Sequence, residues 1–150
     1  MTVLAALQEA NTNAGITTAL SFANIKEFQS FQDSFGFSTY PVNVVVPYTF
    51  NGVNRSGRNS VKVPIQGWVI QRIPEDTNDY RTADIESLYM APMRVKAIKF
   101  INALLDTDVV DAGVEDVAWT VRPEYMFLPD HLFGVGYTID LPINEKVCSS

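Results

Sequence analysis

The sequence predicts an α+β fold: a mainly antiparallel sheet of two hairpins, packed against a long central helix and N-terminal helices. Three observations predict it. Residues 84–105 keep a helical period, residues 41–73 hold two β-rich segments around a polar stretch, and residues 117–143 hold a second such pair. Strands that come in hairpin pairs form antiparallel sheets, and amphipathic helices cover one face of them.

Length and composition favour one globular domain over residues 1–150. The chain has 47% hydrophobic residues, which is enough for a continuous core. Its formal net charge of −6 disfavours nonspecific binding to nucleic acid, because such binding needs a basic surface. Cys148 is the sole cysteine, so neither an intramolecular disulfide nor a cysteine-based zinc site is expected.

The first residues do not have the features of a signal peptide. They lack a basic n-region, and Glu9 interrupts the short apolar run. No apolar run approaches the length of about 18 residues that a transmembrane helix needs. We therefore expect a soluble protein with no membrane partner.

The N-terminal part of the chain predicts two helices. Residues 3–10 are rich in alanine and leucine, and this helix should end near Gly15. Residues 17–22 could be a strand or a connector. Residues 24–35 repeat apolar side chains at helical spacing, and Gly36 should end this second helix. Its aromatic stripe is read as core more readily than as a partner-binding face.

The first hairpin is predicted from residues 41–50 and 61–73, which are rich in β-branched residues. Pro47 should restrict its strand to a sheet edge or a bulge. Residues 51–60 between the strands are polar and contain glycine, so we predict a flexible loop there. The loop of this hairpin, with the start of the strand after it, carries Arg55, Arg58 and Lys62.

The central helix is predicted over residues 84–105. Thr82 or Asp84 could cap its N-terminus. Pro92 either kinks this helix or starts a longer second piece. The predicted buried stripe consists of Ile85, Leu88, Ala91, Val95, Ile98, Ile101 or Asn102, and Leu105.

The C-terminal part predicts an acidic loop and a second hairpin. The loop spans residues 106–116, and a strand over 117–128 follows, interrupted at Pro123. A turn then leads into a last strand over 132–143, where apolar residues alternate with polar or small ones. The final residues should be frayed.

A search for catalytic chemistry gives no enzyme signature. His131 is the only histidine, and the local sequence around it supports no nucleophile–base arrangement. The acidic loop puts Val110 where a calcium loop of the EF-hand type needs a ligand. Residues 55–60 contain no phosphate-binding motif. We therefore predict a protein that is not an enzyme and that has no cofactor and no metal.

The order of elements resembles that of small virion proteins from the neck and tail of tailed bacteriophages. The resemblance is carried by VLAALQEA, by WVIQRIPEDTNDYRTADIESLYMAPMRVKAIKFINALL and by LFGVGYTIDLPI. The nearest family is the tail-terminator and tail-completion (head–tail connector) family. Pro92 and the proline-rich first hairpin depart from its pattern.

This resemblance implies a structural virion protein. Copies would form a ring, contact adjacent neck or tail proteins and surround a channel through which genomic DNA passes without specific binding. The protein would be assembled into the virion in the host cytoplasm. A basic hairpin and an acidic loop provide the two unlike surfaces that a head-to-tail contact needs. The candidate inter-subunit contacts are Arg55, Arg58, Lys62, Asp106, Asp108, Asp111, Glu115 and Asp116.

Two other classes of function stay open at this stage. A module that binds a peptide or a small ligand would be a stable monomer with an apolar groove near Trp68, Trp119 or Tyr137. An enzyme with an unrecognised site would lose its activity when His131 or a clustered acid is changed.

Overall fold

A computed structural model describes residues 1–16, 19–21, 41–72, 86–111, 113, 116–128 and 132–144. The helices are α1 (Val3–Asn13), a π-helical segment (Glu86–Met90) and α2 (Ala91–Leu105). The strands are β1 (Ala19–Ser21), β2 (Val42–Val45), β3 (Asn51–Arg55), β4 (Arg58–Arg72), β5 (Trp119–Leu128) and β6 (Leu132–Ile143). The predicted helix over 24–35, the two candidate N-caps, His131 and the C-terminal tail lie outside the described residues.

The strands form one six-stranded sheet in the order β1-β2-β4-β6-β5, and β3 pairs with β4 as well. The predicted α+β class with a mainly antiparallel sheet is confirmed. The two predicted hairpins lie side by side, because β4 and β6 pair along twelve residues. The parallel pairing of β1 with β2 was not predicted.

The helical prediction for the N-terminus is confirmed. The Thr2 hydroxyl accepts a hydrogen bond from the Ala5 amide at 3.1 Å, which satisfies one free N–H at the start of α1. Gly15 follows the helix with a φ of 75°, a conformation that glycine adopts without strain. The helix buries Val3, Leu7 and Ala10 against the core.

The second hairpin follows its prediction closely. The apolar residues of β6 that were expected on one face are all buried, from Phe133 to Leu141. β5 lies at the edge of the sheet, and its register with β6 shifts between Glu124 and Leu128. The shift comes directly after Pro123, which cannot donate a ladder hydrogen bond.

The prediction of a loop over residues 51–60 is wrong. This segment consists of β3, a two-residue turn at Ser56 and Gly57, and the start of β4. Both turn residues have positive φ, 53° and 83°, as in the turns that suit a tight hairpin. Polar composition is misleading here, because a hairpin with no buried face needs no apolar alternation.

Two prolines in the first hairpin lie where no ladder bond is lost. β2 lies between β1 and β4, so the prediction of an edge strand is wrong; the strand ends before Pro47. Within β4, the Gln66 carbonyl accepts a hydrogen bond from the Val46 amide. Pro64 lies two residues earlier, so its backbone nitrogen and carbonyl face the same side of β4. Residues 47–50 run there outside the sheet, so the missing N–H of Pro64 costs no ladder hydrogen bond.

The central helix is present, but the predicted buried stripe is wrong at most of its described positions; of the two alternatives Ile101 and Asn102, Ile101 is the buried one. The core receives Met90, Met93, Ala97, Phe100, Ile101 and Leu104. Of the predicted stripe, Leu88 is 64% exposed and Val95 is 51% exposed. The helix has two sets of apolar residues at helical spacing, and the sheet selects the set with Phe100, whose ring centroid lies 5.3 Å from that of Tyr137.

Pro92 starts the second piece of this helix, which is one of the two predicted outcomes. The chain is π-helical over Glu86–Met90, and Pro92 is the second residue of α2. Because proline has no N–H, it cannot donate to the carbonyl of Leu88 one turn earlier. The wider turn accommodates this missing donor.

Candidate protein-interaction site

A two-stranded arm projects from the sheet. Val61 is the last residue of β4 that pairs with β6, opposite Ile143. Residues 51–60 form the arm, in which β3 and β4 pair with each other, and its part over residues 53–60 extends beyond that pair. Three residue pairs lie beyond Val61, and at about 3.3 Å each they give a projection of roughly 10 Å.

The surface of the arm is exposed and carries an apolar residue and basic residues. Val53 is 55% exposed, and the polar arm residues with described side chains are exposed as well. Arg55 and Arg58 are backbone partners on either side of the turn, so the sequence places two positive charges at the tip. A tip with this charge is suited to an acidic surface on another molecule.

Lys62 lies at the base of the arm and has a contact within the chain. Its Nζ atom is 3.8 Å from a carboxylate oxygen of Asp140. Both side chains are about half exposed, so solvent screens this pair and it contributes little to stability.

The acidic segment is fixed beside the end of β6, and its described part forms a turn over residues 106–111. The Asp111 amide donates to the Pro142 carbonyl at 3.0 Å, and the Asn144 amide donates to the Val109 carbonyl at 2.9 Å. These bonds place the acidic turn at the same end of the sheet as the base of the arm.

The predicted acidic contacts differ in exposure. Asp106, Asp108 and Asp116 are exposed, whereas Asp111 is half-buried and accepts a hydrogen bond from the Gly113 amide at 2.9 Å. Glu115 lies outside the described residues. In the described part of the chain, no group of three or more acidic, histidine or cysteine side chains is arranged to hold a metal ion.

The structure brings the base of the arm and the acidic turn together at Ile143. Val61 pairs with this residue from one side, and Val110 forms a bridge to it from the other. The tip lies roughly 10 Å further out. The backbone of Arg55 and Arg58 at the tip therefore lies away from the acidic turn of the same chain.

A groove of about 590 Å³ crosses the sheet face that points away from α1 and α2. Two rows of neighbouring residues form its floor: Gln66, Thr138 and Thr120 in one row, and Pro64, Asp140 and Ala118 in the other. The Oγ1 atoms of Thr120 and Thr138 lie 2.6 Å apart and share a hydrogen bond. This floor offers an amide, two hydroxyls and a carboxylate.

Aromatic side chains and a proline border the groove. Pro47 and Tyr48 lie on one side, and Trp119, which is 42% exposed, lies on the other. Partial burial raises the pKa of the Tyr48 hydroxyl. Of the three aromatic residues that the sequence suggested for a ligand groove, Trp119 lines this one, whereas Tyr137 is buried in the core.

Sequence reasoning missed the polar residues of the groove floor. Gln66, Thr120 and Thr138 belong to three different strands, and only the register of those strands makes them neighbours. A signal was present for two of them: Gln66 and Thr138 alternate with core residues on their strands, which marks the outer face.

No known protein family matches this sequence, and a comparison with curated proteins also gives no match. The resemblance to phage neck and tail proteins therefore stays a hypothesis. None of the described helices is long and apolar enough to cross a membrane.

Proposed function

We propose that the protein is a structural subunit of a tailed-phage virion, similar to tail-terminator and tail-completion proteins. Copies assemble into a ring in the neck or tail, which joins head and tail components around the DNA channel. The observation that carries this proposal is the arm over residues 51–60, which projects from a well-packed sheet.

Such an arm is expected to gain stability from a partner. A two-stranded hairpin by itself is only marginally stable in water. The exposed side chains of Phe50, at its base, and of Val53 would lose contact with water in an interface. A neighbouring subunit provides such a surface at the same place on every copy.

The distribution of charge supports a head-to-tail contact. The arm is basic at its tip, and the acidic turn carries exposed carboxylates at Asp106 and Asp108. A contact between two unlike surfaces, repeated from copy to copy, forms a ring when the rotation between neighbours divides a full turn. The net charge of −6 also suits a channel wall from which DNA is repelled.

Charge reversal tests the contact. The mass of the wild-type protein should rise with concentration in light scattering, and electron microscopy should show rings or stacked tubes. The double variant Arg55→Glu, Arg58→Glu should require a higher concentration to assemble, because like charges then face each other. Lys99→Glu reverses an exposed charge on α2 and serves as the control.

A compensating variant makes the test specific. Adding Asp106→Lys and Asp108→Lys to the double variant should restore assembly. The charges of both surfaces are then reversed, so the two surfaces attract each other again. Assembly of the double variant at the wild-type concentration would contradict the proposed contact. A wild-type protein that stays monomeric at every concentration and forms no ring with neck or tail proteins would contradict the proposed function.

The groove favours a second candidate function, the binding of an extended peptide or a small ligand. Its volume of about 590 Å³ lies within the usual range for ligand sites, and its polar floor beside Tyr48 and Trp119 can fix an orientation. In that case the protein is a monomer, and Gln66→Ala should weaken ligand binding without changing the fold. Titration of a peptide library, followed by NMR, would measure this.

A further inference from the structure

The buried strand β2 has no apolar alternation that would fix its pairing register. All four of its residues, Val42–Val45, are buried. Val45 belongs to the core between the sheet and the helices, whereas Val42 and Val44 point to the opposite face and are at most 1% exposed. A strand with two buried faces can shift by one residue without bringing an apolar side chain into water.

A one-residue shift of β2 would exchange its two faces. Because residue 46 is a valine too, the run from 42 to 46 reads Val-Asn-Val-Val-Val. Both faces would still be lined mainly by valine after the shift, and Asn43 would pass to the face away from the helices. In either direction a flanking proline, Pro41 or Pro47, would enter the strand at the loss of one ladder hydrogen bond. Hydrophobic burial therefore separates the registers poorly.

Asn43 is the one polar residue of β2, and its side chain is hydrogen-bonded on two sides. Its Oδ1 atom accepts a hydrogen bond from the Tyr137 hydroxyl at 2.7 Å, and its Nδ2 atom donates to Asn11 Oδ1 at 3.1 Å. The Asn11 Nδ2 atom donates to the Ile16 carbonyl at 3.5 Å. The three side chains are at most 3% exposed. They connect α1, β2 and β6 inside the core.

Gly67 allows Tyr137 to reach Asn43 across the strand between them. Tyr137 of β6 pairs with Gly67 of β4, and Gly67 pairs with Val45 of β2. A Cβ atom at Gly67 would lie 2.5 Å from the Tyr137 hydroxyl oxygen, so a larger residue there would displace the ring. The hydroxyl is thus held at one point beside β2.

We propose that Asn43 sets the register of β2, because the observed register joins its amide to both Tyr137 and Asn11. A one-residue shift turns Asn43 to the other face of the sheet, and a two-residue shift moves it by about 7 Å along the strand. In either case three buried polar side chains lose hydrogen bonds, which is unfavourable in the protein interior. A single buried asparagine is known to fix register in this way between paired helices.

The register of β2 also positions the residues that follow it. The strand leads into residues 47–50, where Tyr48 borders the groove and Phe50 lies at the base of the arm. A one-residue shift would displace the start of this segment by about 3.3 Å. Asn43 is therefore a positioning residue for the groove border and the arm, and this role does not depend on what either of them binds.

The test removes the polar groups together, so that none of them stays buried without its partner. The triple variant Asn11→Ala, Asn43→Val, Tyr137→Phe gives β2 an all-valine sequence. Val45→Ala is the matched control, because it leaves a cavity beside the same strand but keeps Asn43. In isotope-labelled protein, NMR measures the NOE between the Hα atoms of residues 43 and 69, which face each other as a close pair.

The wild type and Val45→Ala should each give one set of β2 amide signals and this NOE. The triple variant should populate a second register to at least about 5%, seen as a second set of β2 signals or as relaxation dispersion in this strand. An Hα contact of residue 69 with residue 42 or 44 would identify the shifted register.

A triple variant with one set of β2 signals, the wild-type NOE and no dispersion would overturn the inference. The double variant Asn43→Val, Tyr137→Phe keeps Asn11 with its bond to Ile16, and it repeats the test with no change on α1. A second register in Val45→Ala would overturn the inference as well, since loss of packing and not loss of Asn43 would then release the strand.

Discussion

The two parts of β4 contrast within one continuous strand. From Val63 to Ile70 it lies inside the sheet, and Val63, Ile65, Val69 and Ile70 are at most 1% exposed. From Arg58 to Lys62 it belongs mainly to the arm, where Ser60 and Lys62 are exposed. The backbone pairing is regular in both parts.

This contrast separates two roles of one strand. Strand pairing satisfies the backbone everywhere, but only the sheet part has buried side chains, and burial of apolar surface supplies most of its stability. In the arm, β3 and β4 pair with each other, but the described side chains are exposed to water. The arm is therefore the part that can change its contacts at little cost to the fold.

The largest expected effect is that of Gly67→Ala, in the sheet part of β4. A Cβ atom there would lie 2.5 Å from both the Tyr137 hydroxyl oxygen and the Val44 carbonyl oxygen. We expect a loss of about 3 kcal/mol in the free energy of unfolding, measured with urea. Gly52→Ala in the arm is the control, because its Cβ would meet nothing closer than 3.6 Å. Equal losses of unfolding free energy for the two variants would show that the sheet part and the arm part of β4 do not differ in packing.

The next effect concerns a buried polar chain that joins three elements of the core. The Tyr137 hydroxyl donates to Asn43 Oδ1 at 2.7 Å, and Asn43 Nδ2 donates to Asn11 Oδ1 at 3.1 Å. Tyr137→Phe removes the donor and leaves a buried amide oxygen without it, at a cost of about 1–3 kcal/mol. Thermal unfolding measures this. A Phe variant as stable as the wild type would show that the hydrogen bond contributes no net stability.

Burial of Tyr137 also predicts a dependence of stability on pH. Burial raises the pKa of its hydroxyl above the ordinary value of 10. The unfolded chain then loses the proton at lower pH than the folded one. This contribution is present below pH 10 and is lost as the pH rises further. In urea titrations between pH 9 and about 11, Tyr137→Phe should show a shallower loss than the wild type; parallel curves would contradict this.

The smallest effect on stability is expected in the arm, where a matched pair of substitutions sharpens the comparison. Val53→Thr should change the free energy of unfolding by less than about 0.5 kcal/mol, because Val53 is exposed. Val63→Thr puts a hydroxyl into the core and should cost about 1–3 kcal/mol. Under the ring proposal, Val53→Thr should weaken assembly and Val63→Thr should not. The opposite outcome would place the interface elsewhere.

Local sequence patterns predicted the hairpin of β5 and β6 well, because the apolar residues of β6 alternate over a long stretch and all of them enter the core. The charged candidate contacts come from the sequence alone, and their role in an interface stays a prediction. The groove could not, because Gln66, Thr138 and Thr120 come together only through strand register. The arm was taken for a loop because its polarity resembles that of a connection.

α2 has two sets of apolar residues at helical spacing, and the structure buries one of them. By itself the sequence determined that residues 91–105 form a helix with apolar residues on more than one face. Only the tertiary structure decided that Phe100 and Met93 enter the core while Val95 stays in water. Helical periodicity is a property of the local backbone, whereas the buried face depends on which side chains fill the space between α1 and the sheet.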